Sequence, residues 1–137
     1  MINIKELSIG NWVKFPCGID KIVDLPYVEG KGMCASFAAS ATLFPVSVKD
    51  LEPIEITPEI LEKNGLEKQE PQGYLIGIYG RNENGKIIYA IYYREEDHFL
   101  SIEGYDSFGS FSKTNIRHIH QLQNALKLCG INKEIEL

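Results

Sequence analysis

The chain has 137 residues, a hydrophobic content of 44% and a formal net charge of -5. This length suits one domain or two very small ones, and the hydrophobic content is sufficient for a globular core. The negative charge argues against a nucleic-acid or membrane-surface partner, because such partners usually require a basic face.

The three cysteines, Cys17, Cys34 and Cys129, are odd in number, widely spaced and without a C-x-x-C pair. This pattern favours reduced thiols over a disulfide framework. The first residues lack a basic region followed by an apolar run, and no apolar run reaches the roughly 20 residues that span a bilayer. We therefore expect a cytoplasmic protein without a membrane partner.

The first 57 residues predict short strands separated by tight turns. Strands are expected at residues 9–15, 19–25, 33–38 and 43–48. Gly30 and Gly32 mark a turn, residues 39–42 fit either a strand or a helical turn, and a 3₁₀ turn is expected at residues 48–51. This spacing favours a small closed barrel, and we predict an SH3-like barrel over residues 1–57. The alternative is a curled sheet that continues into the later strands.

The side chains of the first predicted strand alternate between a face that lies toward the core and a face that lies away from it. Val13 and Phe15 take the core face, which turns Trp12 and Lys14 outward. We expect Trp12 to pack against the second lobe, because a short chain buries more apolar surface when its two halves pack together. If Trp12 is instead exposed beside Tyr27, the two form the predicted binding site, because aromatic anchors dominate interfaces.

The second predicted lobe, residues 58–137, begins with a short helix. Thr57 can cap this helix, Pro58 suits its first position, and Asn64-Gly65 can end it.

An antiparallel sheet is predicted after this helix. Asn84-Gly85 is a typical hairpin turn. Strands are expected on both sides of this turn and after it, at residues 74–80, 86–93 and 99–103. Residues 104–112 are rich in glycine and serine, which indicates a loop with room for a short strand at 110–112.

An amphipathic helix from Thr114 to Gly130 is expected to pack on this sheet. Its apolar stripe repeats at three- and four-residue steps and contains Ile116, Ile119, Leu122, Leu126 and Cys129. Thr114 or Asn115 can cap its start, and Gly130 can end it. Residues 131–137 alternate like a final strand. The whole pattern predicts an α+β fold.

The two sides of this helix lead to different expectations. Leu122 and Leu126 should lie in the core. Gln123 falls near the apolar stripe and should bond a loop or a strand end, because a buried amide needs partners. His120 and Asn124 fall on the opposite, solvated face, where partner binding is the alternative to plain solvation.

Three motifs resemble a known family. They are I-G-N-W-V at residues 9–13, L-E-P-I-E-I-T-P-E-I-L-E-K-N-G-L at 51–66 and I-H-Q-L-Q-N at 119–124. In order and spacing they resemble small uncharacterised proteins of Bacteroidetes that are associated with prophages or other mobile elements. That family has no assigned activity. The resemblance therefore implies cytoplasmic expression in a bacterium or its phage, and it implies no catalytic residue.

No catalytic or metal-binding constellation is predicted. His118 and His120 would be about 200° apart on a helix, whereas zinc ligands on a helix are three or four residues apart. Cys34 and Ser36 lie in a strand-like run without a G-x-S-x-G turn. The glycine-lysine-glycine turn at 30–32 is shorter than a phosphate-binding loop, which has the pattern G-x-x-x-x-G-K-S/T. We therefore predict a protein that is not an enzyme and that has no metal or cofactor.

Aromatic residues are concentrated in the predicted sheet. They are Tyr74, Tyr79, Tyr89, Tyr92, Tyr93 and Phe99. Such residues can stack single-stranded nucleic acid, but acidic neighbours and the net charge favour cross-strand pairing instead. Because small barrels commonly bind other proteins, the predicted function is a non-catalytic protein-interaction module with an unknown protein partner. Single-stranded nucleic-acid binding is the first alternative, and an enzyme without a recognisable motif is the second.

Overall fold

The fold is mixed α+β and divides into two compact units. The computed structural model describes residues 2–38, 45–65, 74–81, 87–94, 99–106, 109–128 and 134–137. The first unit contains Met1–Glu55 with His118–Asn124, and the second contains Ile56–Arg117 with Ala125–Leu137. The predicted antiparallel sheet and C-terminal helix are both present.

The first unit contains an antiparallel sheet of short strands. These are β1 (Trp12–Phe15), β2 (Gly18–Asp24), β3 (Tyr27–Val28), β4 (Gly32–Phe37) and β5 (Val46–Ser47). Their order is β1-β2-β4-β3, and β5 pairs with β4. Two 3₁₀ helices accompany the sheet, Ile4–Glu6 and Val48–Asp50, and the second lies where it is predicted. An isolated bridge joins Lys14 to Glu52, but no pairing among the described residues closes the sheet into a barrel.

One hydrophobic core lies under this sheet. Its buried side chains are Ile2, Val13, Phe15, Ile22, Ala35, Phe37, Val48 and Leu51. They come from β1, β2, β4, the second 3₁₀ helix and the segments that flank the sheet in sequence. The inner face of the sheet is therefore buried only when the whole N-terminal segment folds together.

Strand β1 confirms part of the predicted alternation. Val13 and Phe15 are buried, and the ring of Phe15 stacks on Phe37 with the centroids 4.3 Å apart. The prediction that the strand starts at residue 9 is wrong. Ile9 is 61% exposed, because Gly10 has a φ of 94° and turns the chain before β1 begins.

The later part of the first unit also departs from the prediction in one place. Within the described residues 45–48, the strand expected at residues 43–48 is represented by β5, and Val48 instead begins the 3₁₀ helix that the Ser47 side chain caps. Residues 39–44 lie outside the described part of the chain. The turn at Gly30 is confirmed, since that residue has a φ of 84° and lies between the paired strands β3 and β4.

The second unit contains a short helix and a four-stranded antiparallel sheet. The elements are α1 (Pro58–Lys63), β6 (Tyr74–Arg81), β7 (Ile87–Arg94), β8 (Phe99–Asp106) and β9 (Gly109–Ile116), and the sheet order is β6-β7-β8-β9. The predicted pairing of β6 with β7 is confirmed, whereas the Asn84-Gly85 turn lies outside the described residues. The loop predicted at residues 104–112 is wrong for residues 104–106 and 109, which belong to the paired strands β8 and β9, whereas the short strand predicted at residues 110–112 is confirmed as part of β9.

Helix α1 begins and ends where the sequence predicts. The Oγ1 atom of Thr57 accepts the N–H of Ile60 at 3.3 Å, which caps the first turn. Asn64 follows the last helical residue, and Gly65 has a φ of 86°, the left-handed conformation that commonly follows a helix.

The side chain of Asn64 also holds the C-terminal segment. Its Nδ2 donates to the backbone oxygen of Glu136 at 2.7 Å, and its Oδ1 accepts the N–H of the same residue at 2.8 Å. The final strand predicted at residues 131–137 is wrong for residues 134–137, which are not assigned to a strand. The amide side chain of Asn64 bonds both the N–H and the carbonyl oxygen of Glu136.

Helix α2 (Ile119–Leu128) starts later than predicted. The predicted cap Asn115 belongs to β9 and has a φ of 62°, and Ile116 is buried in the pairing with β8. Pairing with a neighbouring strand therefore outweighs the helical period of these residues. His118 precedes the helix instead, and its N–H donates to Oε1 of Gln121 at 3.1 Å, as in a capping box.

The predicted core positions of α2 are confirmed. Ile119, Leu122 and Leu126 are each no more than 1% exposed. Cys129 and Gly130, the predicted end of the helix, lie outside the described residues. No helix in the described ranges is long and apolar enough to cross a membrane.

Candidate functional site

Trp12 is half-buried in β1 and is held through its backbone and its ring. Its N–H donates to Oε1 of Gln123 at 2.8 Å. Across the β1–β2 ladder it lies opposite Lys21, whose ammonium nitrogen is 5.1 Å from the ring centroid. A cation–π contact of this kind contributes about 0.5–1 kcal/mol at exposed sites. These contacts give Trp12 a structural role within the first unit.

Tyr27 lies on β3 and is 73% exposed. Its cross-strand partner is Met33 on β4, which is 39% exposed. Residues directly opposite each other on antiparallel strands share a face, so the two side chains form one surface feature, the Tyr27–Met33 pair. In the sheet order, β2 and β4 lie between β1 and β3. Trp12 and Tyr27 are therefore on strands that are not neighbours.

His120 does not lie on a solvated face, so that prediction is wrong. Its side chain is 1% exposed, and its Nε2 is 3.3 Å from Oε2 of Glu6. Burial lowers the pKa of His120 from its ordinary value of 6.5, although the hydrogen bond and the charge of Glu6 act in the opposite direction. The Nδ1 atom is buried without a hydrogen-bond partner among the described residues.

The geometry of the two histidines also differs from the prediction. The rings of His118 and His120 are parallel to within 8°, with their centroids 5.8 Å apart. The separation expected on a helix does not apply, because His118 lies before the first residue of α2. Among the described residues, however, no three His, Cys, Asp or Glu side chains are grouped so that they could hold a metal ion.

Asn124 is also engaged inside the first unit rather than lying on a solvated face. Its Oδ1 accepts from Oγ of Ser8 at 2.7 Å and from Nδ2 of Asn11 at 2.9 Å. Its own Nδ2 donates to the backbone oxygen of Glu6. Asn11 is only 3% exposed, so these bonds satisfy polar groups that folding removes from water.

The prediction for Gln123 is confirmed. Its Oε1 accepts the N–H of Trp12, and its Nε2 donates to the backbone oxygen of Gly10 at 2.9 Å. Together with Asn11 and Asn124 it forms an amide cluster. This cluster joins the first turns of α2 to residues 6–12, and it explains why His118–Asn124 belongs to the first unit.

A groove of about 410 Å³ opens on the surface of the first unit. Its walls come from the N-terminal segment, the start of β4 and the second 3₁₀ helix. The side chains that determine its character are the apolar Ile2, Ile4, Met33 and Val48 and the basic Lys31 and Lys49. Ile2 and Val48 are buried and form the floor, whereas Ile4 and Met33 are partly exposed at 37% and 39%.

The two lysines give this groove a positive rim. The Nζ atom of Lys31 donates to the backbone oxygen of Pro45 at 3.4 Å. Within the described ranges, neither Lys31 nor Lys49 forms an ion pair with a carboxylate. Their acidic neighbours in sequence, Glu29 and Asp50, do not line the groove. An apolar floor together with these two positive charges suits a ligand that is both apolar and acidic.

The groove was not predicted from the sequence. One pattern in the sequence does predict the Tyr27–Met33 pair. Both residues are three positions from Gly30, and a tight hairpin around Gly30 places them opposite each other. No local sequence pattern predicts that Lys49 lies near Lys31. That approach depends on the pairing of β5 with β4, which joins segments distant in sequence.

The other candidate groups are less informative. Cys17 is exposed and Cys34 is buried, and both are free thiols, whereas Cys129 lies outside the described residues. In the β6–β7 register Tyr79 lies opposite Tyr89. The side chains of these two strands lie outside the part that the structure describes, so the expected aromatic surface stays a prediction.

No family model, curated protein or solved structure matches the chain. The candidate site therefore depends on the geometry of the groove and of the Tyr27–Met33 pair.

Proposed function

We propose that this chain is a non-catalytic protein-interaction module of a bacterial or phage system. The observation that supports the proposal is the Tyr27–Met33 pair, in which an aromatic side chain that is 73% exposed lies opposite a partly exposed methionine. Tyrosine is enriched at the energetic centres of interfaces, and methionine adapts its shape to different partners. The pair adjoins the groove, because Met33 belongs to both.

The proposal includes an SH3-like arrangement of the first 57 residues. It is supported by the bridge between Lys14 and Glu52, which follows the 3₁₀ helix Val48–Asp50 and returns the chain to β1. A small barrel requires its last segment to return to its first strand, so this bridge supports the proposed arrangement. Membership of the Bacteroidetes family and a cytoplasmic location belong to the same proposal.

Site-specific photo-crosslinking tests the proposed function. p-Benzoylphenylalanine replaces Tyr27 in one variant and Leu128, which is 80% exposed, in a matched control. We expect a protein adduct of defined mass from a bacterial lysate at position 27 and not at position 128. The adduct should disappear when Met33→Ser removes the apolar neighbour. Equal adducts at both positions, or none at position 27, would contradict the proposal.

Single-stranded nucleic-acid binding is the second candidate, and the register of Tyr79 opposite Tyr89 favours it. The net charge of -5 opposes it, because such binding depends on neutralising phosphates. Gel-shift measurements with single-stranded oligonucleotides separate the two functions. An interaction module leaves the oligonucleotide unshifted at physiological salt, whereas a salt-dependent shift supports nucleic-acid binding.

A further inference from the structure

We propose that the groove of the first unit binds an acidic peptide segment with an apolar centre, contributed by a partner protein. This inference rests on the proposed interaction function and specifies the chemistry of the partner. The lining of the groove includes the partly exposed apolar side chains of Ile4 and Met33 and the basic side chains of Lys31 and Lys49.

The apolar side chains that line the groove explain the centre of the peptide. Ile2 and Val48 are buried beneath it, so the floor excludes water, while Ile4 and Met33 still present apolar surface. The volume of about 410 Å³ is in the range of sites that enclose a ligand. A large apolar side chain placed on Ile4 and Met33 removes this surface from water, which stabilises the complex.

The two lysines that line the groove explain the acidic flanks. Lys31 and Lys49 are positive in a chain whose net charge is -5. The net negative charge of the chain disfavours the approach of an acidic segment, whereas the two ammonium groups attract it at the groove. The charge therefore contributes to the choice of the groove more than it adds affinity.

The concave apolar shape favours a peptide over other anions. Nucleic acid binds through several phosphate contacts along a basic stripe, and two lysines provide few of them. An anionic bilayer surface also requires a cluster of basic residues on an open face. In a peptide, carboxylates and an apolar side chain occur within one short segment, which matches a groove lined by both apolar and basic side chains.

Fluorescence anisotropy with the full chain tests this inference. The probe is a fluorescein-labelled short peptide with a leucine–phenylalanine centre flanked by aspartate and glutamate. A second peptide has asparagine and glutamine in place of the acids. We expect the acidic peptide to bind about tenfold more tightly, and we expect its affinity to fall as salt increases.

A pair of charge-reversal variants locates the binding. Lys31→Glu combined with Lys49→Glu should weaken the acidic peptide about tenfold or more. Lys14→Glu combined with Lys63→Glu changes the net charge by the same amount outside the groove and should leave the affinity unchanged. Met33→Ser should weaken both peptides, because it removes the apolar contact that they share.

The outcomes separate this inference from the function on which it rests. Equal loss in the two charge-reversal variants, or equal affinity for the two peptides, overturns the groove as an acidic-peptide site. So does tighter binding of single-stranded oligonucleotides or of vesicles containing phosphatidylserine. If no peptide binds but the adduct at position 27 persists, the peptide chemistry is wrong and the interaction function stands. If both are absent, both proposals fail.

Discussion

The side-chain oxygen of Gln123 accepts the backbone N–H of Trp12 at 2.8 Å, across 111 residues of sequence. The nitrogen of the same amide donates to the backbone oxygen of Gly10. One side chain therefore bonds the two backbone groups on either side of Asn11, as a neighbouring strand would. At the start of β1, the side chain of a residue in α2 therefore provides hydrogen bonds that a strand would otherwise provide.

Replacement of Gln123 by alanine should destabilise the protein by about 1–3 kcal/mol, because it leaves polar backbone groups of Gly10 and Trp12 without their partner. Urea unfolding measures the loss, and Trp12, the single tryptophan of the chain, reports it by fluorescence. Lys127→Ala is the control on the exposed side of α2 and should change stability by less than about 0.5 kcal/mol. A loss for Gln123→Ala as small as that of the control would contradict the structural role of the amide.

Asn11 and Asn124 should be energetically coupled, since Nδ2 of one donates to Oδ1 of the other at 2.9 Å. Each change to alanine should cost about 1–3 kcal/mol, and the double variant should cost less than their sum by at least about 0.5 kcal/mol. A double-mutant cycle in urea measures this coupling. The matched cycle pairs Asn124→Ala with Thr57→Ala, the cap of α1 in the second unit, and should be additive. Additivity in both cycles would mean that the bond contributes nothing.

The apolar side of α2 could be predicted from sequence, and its polar side could not. Ile119, Leu122 and Leu126 repeat at the helical period, and burial of a one-sided apolar stripe requires no knowledge of its partner. His120 and Asn124 are polar, so the same local pattern assigns them to solvent. The burial of His120 and the hydrogen bonds of Asn124 depend on polar partners at residues 6–11, more than a hundred positions away.

The start of α2 shows a second limit of local patterns. Ile116 fits the helical stripe and also fits a strand, and only its pairing with β8 decides between them. The groove, like the start of α2, could not be predicted from local sequence patterns. Lys31 lies in a turn and Lys49 in a 3₁₀ helix that the sequence predicts correctly, but the pairing of β5 with β4 creates their shared surface.

Two leucines of α2 should respond very differently to the same change. Leu126 is 1% exposed and Leu128 is 80% exposed. Leu126→Ala should cost about 2–5 kcal/mol because it leaves a cavity in the core, and Leu122→Ala should cost a similar amount. Leu128→Ala removes a side chain that is already in water and should stay within about 0.5 kcal/mol. Denaturant melts compare the three variants, and a cost for Leu126→Ala below about 1 kcal/mol would show that this face is not the core.

His120 should make the protein less stable in mild acid. Burial lowers the pKa of His120 in the folded state, whereas the unfolded chain keeps the ordinary value of 6.5. Above that pH the ring is neutral in both states, and its titration does not affect stability. As the pH falls below 6.5, the unfolded state takes up the proton first, so the free energy of unfolding decreases until the folded state is protonated as well.

Urea melts between about pH 7.5 and 5.5 measure this dependence for His120. His120→Gln should flatten the slope in this window, because it removes the group that takes up the proton on unfolding. The matched control is His118→Gln, which changes the stacked neighbour and should keep most of the wild-type slope. Glu6→Gln should steepen the slope, since the carboxylate at 3.3 Å favours protonated His120 in the folded state and partly offsets the effect of burial. Equal slopes for wild type and His120→Gln would show that this histidine does not cause the loss of stability in acid.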